Sequence, residues 1–424
     1  MRQDRRRFLA QSGSAVLFGL SAAAGANTPA TAPGRVSSTA GVAASISPQT
    51  VRLFLCGDVM TGRGVDQIMR HPGDPALHES FVRSATEYVA IAEQASGPIP
   101  RRVDPSYIWG DALGELDRSR PDVRIVNLET AVTAANEPWP GKGIHYRMHP
   151  SNVDCLSAAK IDCCALANNH VLDWGHEGLR ETISTLRAAG ILTAGAGADE
   201  TEARVPAVVA VRGGGRILVF AYASPSSGIP PRWAARGRQA GVSVLDESRP
   251  TAVNQVLREL RGAKRPGDVL VVSIHWGGNW GYEVPRDQQR LARGLVDEAG
   301  VDVVFGHSSH HPRPVEVHGG KLILYGCGDF LNDYEGIGGH EGYRPELGFV
   351  YLPDLDPASG RLQRLVLVPT CIRGFRVNRA RAGDAEWLQE MMTREGRALG
   401  TRIEMTATGQ LQLRWEQIPA GAIG

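Results

Sequence analysis

Five apolar runs in this sequence each end in a polar group that could do chemistry. The first ends at Asp58 in GDVMTGR, the second at Glu129 in VNLET and the third at Asn169-His170 in ANNHVLDWG. The fourth ends at His275 in SIHWGGNWGY, and the fifth at His307 in FGHSSHHP, with His310 three residues further on. Carboxylate, amide oxygen and imidazole are the ligands of hard or borderline divalent ions such as Mn, Fe or Zn. Asp58 or Glu129 could bridge two ions, and such a pair can polarise an ester oxygen and supply a nucleophile from water at neutral pH. Each group alone has an ordinary reading. Gly57-Asp58 can be a turn, Glu129 a neighbour of a helix cap, Asn168-Asn169 an Asx-turn, and a single His after a strand a core residue. Five such groups at five strand ends point together to a metal site.

Other residues could serve that site. Arg63 follows Asp58 closely and could hold a phosphate or carboxylate, or lie on the surface. Asp173 follows His170 by three residues and could orient it, or cap the next helix. Trp276, Trp280 and Tyr282 could wall a substrate pocket or pack in the core. Asp329 and Asp333 in GCGDFLNDYEGI could join the same rim, and His311 is the alternative to His310 as a ligand. No GxSxG, P-loop or GxGxxG is present, so nucleophilic-serine and phosphate-loop chemistries have no support.

The positioning elements follow from the periodicity. Strands are expected at Val51–Cys56, Val123–Asn127, Asp162–Ala167, Val269–Ile274 and Val301–Phe305. Helices are expected at Glu79–Gln94, Trp109–Arg118, Ser151–Ala159, Gly178–Ala189, Ser248–Arg261 and Arg286–Ala299. Hairpins are expected around Gly213-Gly214-Gly215 and Gly319-Gly320, and a helix and a hairpin close the chain. Strand–helix alternation followed by hairpins implies an α/β fold with a mixed sheet or two packed sheets. In such folds ligands gather beyond the carboxyl ends of strands.

Composition narrows the class. The chain has 424 residues with 46 Lys+Arg against 45 Asp+Glu, a net charge of +1, which argues against nucleic acid as a partner. Hydrophobic residues make up 42% and charged residues 21%, as in folded globular proteins. No apolar run reaches the length of a membrane-spanning helix. The 6 Cys include no CxxC pair and read as buried free thiols.

The first residues read as an address. Arg5-Arg6-Arg7-Phe8-Leu9 resembles a twin-arginine export signal, followed by a weakly apolar stretch and a small-residue cleavage site at Ala24-Gly25-Ala26. Residues 1–26 are therefore expected to be a signal peptide, which places the protein in the periplasm or outside the cell. Residues 27–49, rich in Thr, Ala, Pro, Gly and Ser, are expected to be a flexible linker. The folded domain is expected over 50–375, with a C-terminal extension over 376–424 packed on the same domain.

The ordered motifs GDVMTGR, NLET, ANNHVLDWG, HWG, GHSSHHP and a Gly-Asp-Phe turn, from about Val51 to Asp333, resemble the bacterial capsule-synthesis CapA family, also called PgsA-like, of poly-γ-glutamate synthesis. That family belongs to the calcineurin-like metallophosphoesterase superfamily. The resemblance implies a four-layer α/β/β/α sandwich of two mixed sheets and one or two divalent ions. Carried over residue by residue, it makes Asp58, Glu129, Asn169, His275, His307 and His310 metal ligands. It makes His170 the general acid or transition-state donor; the residues themselves add Asp173 as its expected partner and Arg63 and Trp276 as expected substrate contacts. Three departures stand out: Met60 replaces the superfamily's first-strand His, Glu129 replaces a bridging Asp, and the last motif is Gly-His-x-x-His. Three functions are compatible. One is a metal-dependent protein of anionic-polymer synthesis, processing or export, working beside the synthesis machinery. Another is a periplasmic phosphoesterase or peptide-modifying enzyme. The third is a non-catalytic polymer-binding accessory.

Overall fold

The computed structural model describes residues 50–211 and 214–416. The expected signal peptide, the linker, residues 212–213 of one expected hairpin turn and residues 417–424 lie outside the described residues. Two large sheets dominate. The larger has nine strands, with Val51–Cys56 near its middle. On one side of that strand Val123–Asn127, Cys163–Ala165 and Leu192–Ala194 follow in parallel register. On the other side Leu347–Leu355 and Leu362–Ile372 pair antiparallel. The six-stranded sheet has Arg216–Ala223, Asp268–His275, Val303–His307 and Lys321–Leu324 in parallel, with antiparallel strands Ala207–Ala210 and Val315–His318 at its edges. The fold is thus mixed α/β with mixed sheets.

Side-chain alternation places the core. Ile217, Val219, Val271, Val303 and Phe305 of the smaller sheet share one apolar cluster with Leu53, Leu55, Ile125 and Phe349 of the larger. The opposite faces of the same strands, through Leu218, Phe220, Leu270, Val272 and Val304, pack in a second cluster. There they meet Leu257 and Leu260 of helix Pro250–Ala263 and Leu291 and Leu295 of helix Arg286–Ala299. Strands buried on both faces read as continuous apolar runs, which is why the parallel strands were visible in the sequence.

Some boundaries differ from expectation. The helix expected from Glu79 begins at Ala85, because the Ser84 hydroxyl accepts the Thr86 amide at 3.3 Å and caps it. Glu79 lies outside that helix and is fully buried. The helix expected over Ser151–Ala159 divides into a short 3-10 turn, Pro150–Asn152, and helix Asp154–Ala158. Beyond residue 376, strands Val377–Arg379, Thr401–Met405 and Leu411–Trp415 add to the larger sheet, and helix Ala382–Gly396 follows the first of them. All six cysteines are free thiols, and only Cys371 is incompletely buried. No helix among the described residues is long and apolar enough to cross a membrane.

Candidate metal centre and its cavity

The parallel strands of both sheets end at one place. In the larger sheet Val51–Cys56 leads through Gly57 to Asp58, and Val123–Asn127 leads to Glu129. In the smaller sheet Asp268–His275 and Val303–His307 are in register, with His275 opposite His307. Gly57 permits the junction. Asp58 N donates to Gly328 O at 2.8 Å, and a Cβ on residue 57 would stand 2.2 Å from that same oxygen. The segment Asp329–Leu331 then pairs with Asp58–Val59 and sets Asp329 opposite Asp58.

Asp58, Glu129 and His275 each bring one ligand atom within 4.8 Å of the others, and all three are buried. Asp58 Oδ1 accepts from His307 Nδ1 at 2.6 Å and from Asn127 Nδ2 at 2.9 Å. Its Oδ2 accepts from Ser308 N at 3.2 Å. Glu129 Oε2, His275 Nε2, His307 Nε2 and Asn169 Oδ1 are buried without a hydrogen-bond partner. Leaving a buried polar atom unsatisfied costs about 1–3 kcal/mol. Four such atoms, all of ligand type and all at the strand ends, fit a divalent cation. Charge agrees with that reading. Burial and the neighbouring Asp58 push the Glu129 carboxyl well up, and burial pushes His275 down to about 3. Burial opposes ionisation of Asp58 as well, but His307 and His275 outweigh it and hold that carboxyl low.

His170 faces the same cluster. Its Nδ1 donates to Asp173 Oδ2 at 2.6 Å, and its Nε2 stands 3.8 Å from Glu129 Oε1. The NNH turn is built by Asn168, whose Oδ1 accepts from His170 N at 3.1 Å and from Val171 N at 3.0 Å. That is the Asx-turn reading of Asn168, and it frees Asn169 to aim its amide oxygen inward. Burial pushes His170 down to about 4, which Asp173 only partly opposes.

Three expected placements need correction. Arg63 does not face the cavity. It is buried against Asp333 at 2.5 and 3.1 Å and Glu79 at 2.9 Å, because a buried guanidinium needs carboxylate partners. Trp276 is 1% exposed, donates through Nε1 to Tyr325 O at 3.0 Å, and packs in the second apolar cluster. Trp280, four residues on, is the tryptophan that lines the cavity. His310 has both ring nitrogens engaged by other residues. Its Nδ1 donates to Asp329 Oδ1 at 2.9 Å, and its Nε2 accepts from Asn279 Nδ2 at 3.2 Å. The alternative, His311, uses both nitrogens on backbone, giving to Pro312 O at 3.1 Å and taking from Gly281 N at 3.1 Å.

A cavity of about 960 Å³ opens onto this centre. Its inner wall includes Asn169, His170, His310 and Lys142, and its outer wall includes Trp280, Ile337 and Arg344. Trp280 stacks on His340 at a centroid distance of 3.7 Å. Sequence reasoning missed Lys142, Asn127 and Asn279. Lys142 sits in a loop away from any strand end, Asn279 lies four residues past His275 and is overshadowed by it, and Asn127 is the last residue of its strand but is overshadowed by Glu129.

The chain is 48% identical over 358 residues to the probable polyglutamine synthesis accessory protein of Mycobacterium tuberculosis, across 84% of this chain and 94% of that protein. It is 27% identical over 278 residues to the PGA biosynthesis protein CapA of Bacillus subtilis, across 65% of this chain and 62% of that one. To the capsule biosynthesis protein CapA of Bacillus anthracis it is 26% identical over 292 residues, across 67% of this chain and 60% of that one. The family model described as bacterial capsule synthesis protein PGA_cap matches residues 52–334, and the chain belongs to that family.

Proposed function

We propose that this protein is an exported, metal-dependent accessory in the synthesis, processing or export of an anionic extracellular polymer, poly-γ-glutamate or capsule. The names of its relatives support the process. The observation that carries metal dependence is the set of unpartnered buried atoms on Glu129, His275, His307 and Asn169 around the Asp58 carboxylate. We assign Asp58, Glu129, Asn169, His275 and His307 as ligands of one or two Mn, Fe or Zn ions. The fold reading is a four-layer α/β/β/α sandwich over 50–375, with 376–424 as an extension of the same domain. Export by the twin-arginine route rests on Arg5, Arg6 and the Ala24-Gly25-Ala26 site.

The ions would supply Lewis acidity at a scissile bond and a nucleophile from water at neutral pH. The chain's own residues do the rest. Asp173 fixes the His170 ring with its proton on Nδ1, so Nε2 is the atom presented to substrate. Parallel strands from both sheets hold the ligands on rigid elements, and the cavity receives the substrate beside them.

A second reading, a polymer-binding accessory with a structural metal, is favoured by two observations. Met60 is fully buried where the superfamily has a ligand His, and His310 is committed to Asp329 and Asn279. Metal analysis of residues 27–424, purified without chelators, beside His275→Ala/His307→Ala tests the proposal. Bound transition metal that the double variant loses is the expected result. Equal metal content in both proteins, or none in either after reloading with Mn, Fe or Zn, would refute the ligand assignment. Hydrolysis of phosphate esters or γ-glutamyl amides by the loaded protein then separates the catalytic reading from the structural one.

A further inference from the structure

Lys142 lies on the segment between strands Ala131–Val132 and Arg147–Met148, and it reaches into the cavity beside His170. Its Nζ donates to Asp173 Oδ1 and, at 2.5 Å, to Asn169 O. It also lies 2.9 Å from His170 Nδ1. That third contact is not a hydrogen bond from the ammonium. An ionised carboxylate only accepts, so the 2.6 Å contact between His170 Nδ1 and Asp173 Oδ2 requires the proton to sit on Nδ1. The nitrogen then has no lone pair for Lys142. An ammonium has three N–H groups; two are placed, and besides the Trp233 ring, 5.3 Å from Nζ, the third meets no hydrogen-bond acceptor among the described residues.

The remaining donor has a direction available. The Lys142 side chain is 17% exposed, and Lys142 is one of the residues that line the cavity. Arg344, a cation further out on the same wall, is already paired with Asp384 at 2.6 Å and Glu346 at 3.0 Å. Beyond Lys142 the wall carries Phe81, Ile144, Trp280, Tyr334 and Ile337, and its other charged groups are Arg344, its partner Glu346, and Glu341. Such a wall suits one localised anionic group near the centre rather than a row of them.

We propose that Lys142 Nζ is the anion-binding group of this site. It would take a carboxylate or phosphoryl oxygen of the substrate on its third N–H while Asp173 and Asn169 hold it in place. The inference rests on the metal-centre reading above, because a cation there would offset the buried carboxylates of Asp58, Glu129 and Asp329 as an anion approaches. Lys142 would thus bind substrate, whereas Asp173 is a positioning residue.

The test uses the metal-loaded protein with two probes, inorganic phosphate and glutarate, titrated by calorimetry into wild type, Lys142→Met and Lys142→Arg. Metal content and melting temperature are measured on the same samples. A charge-assisted hydrogen bond corresponds to roughly 10- to 100-fold in affinity. Lys142→Met is expected to lose that factor for at least one probe, with metal content unchanged, and Lys142→Arg to recover part of it. Weakening with phosphate alone assigns a phosphoryl ligand, and weakening with glutarate alone assigns a carboxylate. Unchanged affinity for both probes in Lys142→Met overturns the proposal. Loss of metal in step with loss of affinity also overturns it, since Lys142 then only props the Asn169-His170 turn. Absence of metal from the wild type refutes the metal-centre reading itself, and the proposal falls with it.

Discussion

Arg63 gives the most demanding prediction, because its role in the structure differs in kind from substrate binding. Arg63→Met removes a guanidinium with no side-chain exposure, from between two carboxylates that are equally buried. Asp333 keeps only the Gly64 amide, at 2.9 Å, and Glu79 keeps only the Tyr88 hydroxyl, at 2.5 Å. The ring faces of Tyr88 and Tyr146, 3.9 and 4.2 Å from the guanidinium carbon, lose their cation as well. Breaking a buried pair by removing one partner costs about 3–5 kcal/mol. At about 2 °C per kcal/mol for a body of this size, that is a fall in Tm of about 6–10 °C. The physical content lies in the rescue. Arg63→Met/Glu79→Gln/Asp333→Asn removes the stranded charges and is expected to recover more than half of the loss. Differential scanning calorimetry of the wild type and both variants reads the effect. A single variant within 2 °C of wild type, or a triple variant no more stable than the single, would refute the argument. Phosphate and glutarate affinities should be unchanged in the triple variant, in contrast to Lys142→Met.

The remaining predictions concern the site and the core. His170→Ala is expected to lower metal-dependent turnover roughly 100- to 10,000-fold while leaving circular dichroism and metal content unchanged; turnover at the wild-type rate would remove His170 from the chemistry. The buried thiols should resist alkylation in the native protein at pH 8, because burial raises their pKa and so depletes the thiolate. Cys371, half-buried and pushed up to only about 11, should label first. Two or more thiols reacting as fast as free cysteine would contradict the packing.

The strand ends were legible because parallel strands buried on both faces leave long apolar runs, and each run must stop where a functional group begins. That is why Asp58, Glu129 and His275, which lie together in the structure, could be picked out, along with His307, which donates to Asp58. Side chains that act from loops carried no such signal. Lys142 follows a Trp-Pro-Gly stretch that reads only as a turn, and its partner Asp173 is 31 residues away. Arg63 turns away from the cavity: proximity in sequence to Asp58 says nothing about which way a side chain turns, and its partner Asp333 is 270 residues distant. Trp276 and Trp280 illustrate the same limit. Both follow His275, but one packs beneath the sheet and the other walls the cavity. His310 was expected among the ligands, yet Asp329, whose role the sequence left open, holds its Nδ1.

The cluster draws Asp58 and Glu129 from one sheet and His275 and His307 from the other. A cation held there would therefore be a clasp across the seam between the two halves of the molecule. Its binding free energy would be returned as resistance to their separation, by about 2.7 kcal/mol at a hundredfold excess over Kd. A chelator would then act at a distance, loosening the apolar seam lined by Leu55, Ile125, Val271 and Phe305 without touching any of them.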